Sequence, residues 1–197
     1  MRISLILAIM LAIIGRAVFA AAPATEPATI TLPGIDGKSY QPLSLAGSRA
    51  AVFVFVLQDC PICNGYAPQI QRLASEFSSQ GSRFYLIHVD PMLTLDGARK
   101  HAKDFGYSIP VLIDAHHELV ARLGVIAVPT AVLLGADGTV KYQGRIDDQY
   151  VAIGKARNVV TQYDLRDAIT ALLNGKPIEK SRTRAIGCAV PDLPEKH

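Results

Sequence analysis

Two cysteines separated by two residues, Cys60-Pro61-Ile62-Cys63, are the part of this chain best equipped for chemistry. Thiol–disulfide exchange needs an attacking thiolate and a second thiol close enough to resolve the mixed disulfide. Two intervening residues at a helix start place the sulfurs within bonding distance, the first exposed and the second behind it. Pro61 suits the first turn of a helix, where its missing N–H costs nothing. The free N–H groups and positive dipole end there favour a thiolate at Cys60. Asp59, the preceding residue, opposes that ionisation.

Other chemistry is open to such a pair. Half a zinc site needs two more ligands, and the chain has neither a second Cys-x-x-Cys nor a His-x-x-x-His. His116-His117 is the nearest candidate pair, and it reads as polar residues at a helix N-terminus. A structural disulfide across two residues closes so small a loop that it restricts the unfolded chain little. A third cysteine, Cys188, stands far downstream. An odd number leaves at least one cysteine unpaired, transient or intermolecular.

The flanking pattern supplies the elements that must position the pair. Ala50 to Leu57 is continuously apolar, as in a strand buried on both faces of a sheet. After the cysteines, Ile62, Tyr66, Ile70, Leu73 and Phe77 mark one helix face, kinked by Pro68. Phe84 to Val89 reads as the next strand. Thr94 caps a helix with Leu95, Ala98, Ala102 and Phe105 on one face, closed by Gly106. Val111 to Ile113 is a short strand, and Asp114 caps a short helix carrying Leu119, Val120 and Leu123, stopped by Gly124. Ala131 to Leu134 and Val140 to Gln143 form a hairpin about Ala136-Asp137-Gly138. Residues 144–161 are long, polar and aperiodic, a length that suits a loop shaping a substrate surface. Asp147 and Asp148 within it read as solvated or capping acids. Asp164 caps a last helix with Leu165, Ala168, Ile169, Leu172 and Leu173 inward, and the tail from Lys176 is expected to be loosely held. The order predicts an α/β architecture with a central mixed β-sheet flanked by helices.

Composition narrows the classes. Half of the 197 residues are hydrophobic, enough for one compact domain with a real core. The formal net charge is +3, and two of the positives, Arg2 and Arg16, lie in the first 22 residues. The rest is nearly neutral, with no basic stripe interleaved with aromatics, so nucleic acid is not an expected partner. Residues 1–22 read as a secretory signal: a positive n-region at Arg2, an apolar run Ile3 to Ile14, and small residues Ala20, Ala21 and Ala22 at the cleavage site. The run is shorter than the ~20 residues that span a bilayer, and no later segment reads as a span. A linker over 23–29 follows, then a domain over 30–178 and a tail over 179–197 containing Cys188. Export sets an extracytoplasmic, for instance periplasmic, compartment in which disulfides persist.

From about residue 50 to 175 the chain resembles the thioredoxin superfamily. The resemblance rests on a buried strand followed by Cys-x-x-Cys, on Pro68 five residues after the second cysteine, and on Gly124-Val125-Ile126-Ala127-Val128-Pro129-Thr130 leading into a strand. The Pro33-Gly34-Ile35-Asp36-Gly37 opening and the inserted strand and helix are similar to the redoxin branch, which contains TlpA-like thiol reductases and the alkyl hydroperoxide reductase–thiol-specific antioxidant proteins. The resemblance implies a thioredoxin-like fold and a redox-active centre at Cys60 and Cys63. It implies a cis peptide at Pro129, and Pro61, Ile62, Val128 and Pro129 as the surface that meets substrate. Partners would be protein thiols and disulfides, with a membrane electron donor behind a reductant. No cofactor and no resident metal are expected. The chain departs from the superfamily at three points: Asp59 replaces the usual Trp, and the two places where an acid accepts a proton hold Val54 and Tyr66.

Three other functions compete, one of them a non-catalytic binding module on the thioredoxin scaffold, against which the intact cysteine pair beside Pro129 argues. A thiol peroxidase would use Cys60 with Cys188 as resolving cysteine, but the hydroxyl and proline positions of its motif hold Leu57 and Phe53. A copper carrier of the Sco-like type would need one more residue between the cysteines and a later histidine, for which His88 and His101 are available.

Overall fold

A computed structural model describes residues 29–195. The signal segment 1–22 and nearly all of the 23–29 linker therefore lie outside the described residues. The chain opens with a small hairpin, β1 (Leu32–Pro33) and β2 (Ser39–Tyr40), turning through Gly34 to Gly37. It continues through β3 (Ala50–Val56), α1 (Pro61–Gly65), α2 (Ala67–Ser78), β4 (Ser82–His88), α3 (Leu95–Asp104), β5 (Val111–Ile113) and α4 (Glu118–Leu123). Next come β6 (Ala127–Val128), β7 (Thr130–Gly135), β8 (Val140–Gly144), β9 (Tyr150–Ala152), β10 (Lys155–Ala156), α5 (Asp164–Leu173) and β11 (Cys188–Ala189).

The central sheet has five strands in the order β5-β4-β3-β7-β8. β3 lies in its middle, parallel to β4 and antiparallel to β7, with Val54 opposite Leu86 on one side and Ala131 on the other. All seven residues of β3 are buried, as its unbroken apolar run requires of a strand covered on both faces. Helix α2 packs on β4, α3 on β5, and α5 on β3, β7 and β8. The N-terminal hairpin covers the β5 edge: Ile35 N donates to Val111 O at 3.0 Å. A covered edge cannot recruit another strand.

Several expectations are corrected. The helix after the cysteines is two helices that break at Tyr66, because Pro68 at the second position of α2 cannot continue the preceding ladder. In α3 the inward face is Ala98, His101 and Ala102, while Leu95 and Phe105 are exposed. Leu95 is the first residue of the helix and Phe105 its C-cap, so both stand at its ends. Asp164 does not cap α5: Tyr163 precedes the helix, and the Asp164 carboxylate accepts from Arg145 Nε at 2.7 Å. The 144–161 stretch is ordered, with β9 and β10 paired. The tail is not loose either, since Thr183 N donates to Gln143 O at 3.1 Å and β11 pairs with β6.

Candidate active site

Cys60 ends the loop after β3 in extended conformation (φ −85°, ψ 110°), and Pro61 opens α1. The turn is closed locally: Cys60 N donates to Leu57 O at 3.3 Å, and Asn64 N to Cys60 O at 3.0 Å. All three cysteines are free thiols. Cys63 is buried one turn behind Cys60, as the spacing requires. Pro61 is exposed, whereas Ile62 turns into the core. Cys60 itself is only 2% exposed, against the expectation of an open first sulfur. The cover is Cys188 and its strand, which the sequence placed in a loose tail.

The Val128–Pro129 peptide is cis, as the resemblance implied. The Val128 carbonyl oxygen lies 3.9 Å from Cys60 Sγ, so the strand end and the cysteine meet. Three sulfurs thus gather at one point. The thiols and N–H groups of Cys63 and Cys188 face the Cys60 sulfur and favour its charged form. These donors, Cys63 first, outweigh burial and push the Cys60 pKa down to about 5. Burial pushes the Cys63 thiol far up, and it pushes Cys188 up to about 11. Cys60 is therefore the thiolate, flanked by two thiols that hold their protons. That division is what exchange requires.

Two groups support the site from behind. Asn64 Nδ2 donates to Gln58 O at 2.8 Å, and its Oδ1 meets His101 Nε2 at 2.9 Å. The His101 ring stands edge-on to His88 at 4.9 Å, and His88 has no hydrogen-bond partner at either ring nitrogen. Burial pushes His88 down to about 3, so it is neutral. The two histidines do not join the cysteines, and among the described residues no three His, Cys, Asp or Glu side chains are grouped to hold a metal. His117 Nε2 meets Val89 O at 2.7 Å, a local helix-start role.

On the other side, Tyr66 donates through its hydroxyl to Asp147 Oδ1 at 2.8 Å and packs edge-on against Tyr150 at 5.1 Å. Tyr150 reaches over Gly65, where a Cβ would collide with its hydroxyl. Asp147 and Asp148 are both buried, not solvated. Burial raises the Asp147 pKa. Asp148 is also disfavoured by burial, but bonds from Thr161 and Gln162 and the charge of Arg157 hold it at about 2. Sequence reading missed Tyr150 and Gly65, and singled out Gly187 only through its place beside Cys188. The one local signal was the Gly187-Cys188 pair itself, a residue without a side chain beside a reactive one.

The mixed sheet, the cysteines at the end of its middle strand and the proline beside them define a thioredoxin-like redoxin. The family model described as "AhpC/TSA family" matches residues 23–143, and the chain belongs to that family. It is 25% identical over 116 residues to the thiol-disulfide oxidoreductase ResA of Halalkalibacterium halodurans, a match spanning 58% of this chain and 64% of that relative. A hypothetical protein of Sinorhizobium meliloti 1021 superposes with a TM-score of 0.72 at 26% identity, covering 82% of this chain and 89% of that one. A secreted disulfide oxidoreductase of Mycobacterium tuberculosis, described as homologous to DsbE of E. coli, shares the fold with a TM-score of 0.53 at 22% identity, covering 75% of this chain and 96% of that one.

Proposed function

We propose that this protein is an exported thiol–disulfide oxidoreductase that exchanges disulfides with protein substrates through Cys60 and Cys63. The observation that carries the reading is the placement of the pair: Cys60 before the first turn of α1, Cys63 buried one turn behind it, and the carbonyl of the cis Val128–Pro129 peptide 3.9 Å from Cys60 Sγ. Cys60 attacks a substrate disulfide and releases one substrate thiolate. Cys63 then loses its proton, attacks Cys60 and releases the other. In this reading Pro61 is the exposed part of the substrate surface, Val128 and Pro129 lie buried under β11 and meet substrate once that strand is displaced, and Ile62 braces the site from within. Beside it runs a cleft of about 610 Å³ between β6, the β9–β10 hairpin and the tail. Ile126 and Ile153 on that cleft are 83% and 75% exposed, which suits a protein partner rather than a small polar one.

The named relatives support the same chemistry, and the signal-like residues 1–22 support an extracytoplasmic, periplasmic setting with cleavage after Ala20 or Ala22. Among the described residues no helix is long and apolar enough to cross a membrane. A membrane electron donor would then regenerate the dithiol. The mature chain then begins at Ala21 or Pro23, ahead of a domain that runs from residue 30, and the N-terminus of exported material reads out the cleavage.

The test is a redox titration of the mature protein in graded glutathione or dithiothreitol buffers, followed by alkylation and peptide masses. A reversible Cys60–Cys63 disulfide is the expected result. A midpoint well below about −200 mV marks a reductant and one near −120 mV an oxidant. Absence of that disulfide at every poise overturns the reading.

A further inference from the structure

The chain's own C-terminus lies where a disulfide-bearing strand would have to lie. After α5 the chain returns along β8. Gln143 N donates to Ser181 O at 3.0 Å, Arg145 N donates to Thr183 Oγ1 at 3.1 Å, and the Tyr142 and Thr183 hydroxyls meet at 2.6 Å. This anchor directs the following residues to β6. There β11 pairs antiparallel, with Cys188 opposite Val128 and Ala189 opposite Ala127, and Val190 N donates to Ile126 O at 3.2 Å. Among the described residues β11 is the only strand paired with β6.

The approach is close enough to exclude a side chain. A Cβ on Gly187 would overlap the Val128 carbonyl and stand 2.9 Å from Pro129 Cδ. Val128 carries the carbonyl that touches Cys60, so whatever stands opposite Val128 stands over the Cys60 sulfur. Here it is a thiol. Cys60 is sealed beneath it, while Cys188 keeps partial exposure. An extended segment added to a strand edge is a general mode of peptide recognition. β11 is such a segment, supplied in cis.

We propose that β11 is a built-in substrate strand, and that Cys60 and Cys188 form a disulfide which Cys63 then resolves. The proposal rests on the oxidoreductase reading and makes it a three-cysteine process. When the strand lifts, the Cys60 thiolate attacks an external disulfide RS–SR. The Cys60–SR bond forms, the RS–SR bond breaks, and one RS⁻ leaves and takes a proton from solvent. When the strand settles, Cys188 loses its proton to solvent and attacks Cys60. The second RS⁻ leaves and is protonated, and the Cys60–Cys188 bond forms. The protein has given up two electrons and the Cys188 proton, solvent has supplied the second proton, and the reagent has become two RSH. Cys63 next loses its proton and attacks Cys60. Cys188 leaves as a thiolate and takes that proton. The disulfide moves to Cys60–Cys63 with no net oxidation.

The experiment uses the mature chain with Cys63→Ser and oxidised glutathione as the external disulfide, read by peptide masses without reduction. The expected product is the Cys60–Cys188 disulfide with little glutathione retained. A stable Cys60–glutathione adduct with Cys188 still free overturns the proposal. Adding Cys188→Ala to that variant should convert the product to the adduct. A folding-neutral check follows wild type through an acid-quenched time course, in which Cys60–Cys188 should precede Cys60–Cys63. Direct appearance of Cys60–Cys63 with no Cys188-linked species also overturns it. Gly187→Val, which the geometry forbids at the crossing, should raise Cys60 alkylation by iodoacetamide about tenfold or more by freeing the strand. An unchanged rate counts against a docked strand. Wild type in the same buffers reports the Cys60–Cys63 pair, so failure of the two-cysteine reading is seen separately from failure of the Cys188 step.

Discussion

The Tyr66 hydroxyl donates to Asp147 Oδ1 across 2.8 Å, joining the break between α1 and α2 to a loop more than eighty residues away. Asp147 Oδ1 also accepts from Gln149 N at 2.9 Å, so the buried carboxylate has two donors on one oxygen. Tyr66 stands where TlpA-like proteins carry an acid, and through this bond an acid reaches the same region from another part of the chain.

Removing the bond should be felt in stability. Tyr66→Phe leaves Asp147 with Gln149 alone, and loss of one partner of a buried carboxylate costs about 1–3 kcal/mol. Urea unfolding of the reduced protein should show a lower midpoint with an unchanged slope. A midpoint equal to wild type would mean that solvent replaces the tyrosine without penalty.

Cys60 should react as a thiolate well below neutral pH. Its pKa is pushed down to about 5, so the ultraviolet absorbance of the thiolate, read against Cys60→Ser, should rise through that pH and level off by neutrality. An ordinary thiol, with a pKa near 8.5, would still be rising there. Cys63→Ala removes the leading donor and should move the midpoint upward. Because the folded value is depressed, the thiolate contributes stability that is fully present above the unfolded pKa and fades as pH falls through about 5.

His88 should make the fold acid-sensitive. It is neutral and buried with a pKa of about 3, while the unfolded chain protonates near 6.5. Between those values the unfolded state binds more protons, so stability drops as the pH is lowered, by up to about 1.4 kcal/mol per unit. His101, lowered in the same way by burial, adds in the same direction. Urea midpoints at pH 7 and pH 5 should differ, and the difference should shrink in His88→Leu. An equal difference in that variant would assign the acid loss elsewhere.

Asp148 should hold the β9–β10 hairpin in place. Its carboxylate receives Thr161 N at 2.8 Å, Thr161 Oγ1 at 2.6 Å and Gln162 N at 3.1 Å, and pairs with Arg157. Asp148→Ala should open the segment to trypsin at Lys155 and Arg157 while β3 and its neighbours stay protected. Its depressed pKa means that this anchoring is complete above the usual carboxylate range and is lost as pH falls towards about 2. Unchanged cleavage would show that strand pairing alone holds the hairpin.

Local sequence determined the elements and the reactive pair. The run Ala50–Leu57 could only be a strand covered on both faces, Pro61 and Pro68 marked a helix start and a break, and Cys60 and Cys63 had to lie one turn apart. Those features depend on periodicity and backbone chemistry within a few residues, which a sequence displays directly. Tertiary structure decided what meets the pair. Cys188 is 128 residues from Cys60, and nothing near it in sequence states that its strand will lie on Ala127–Val128. Asp147 and Asp148 look like loop acids because their donors, Tyr66 and Thr161, come from elsewhere in the chain. The exposure of Cys60 was misjudged for the same reason: burial is set by the segments that fold over a residue, and here the cover arrives from the far end of the chain.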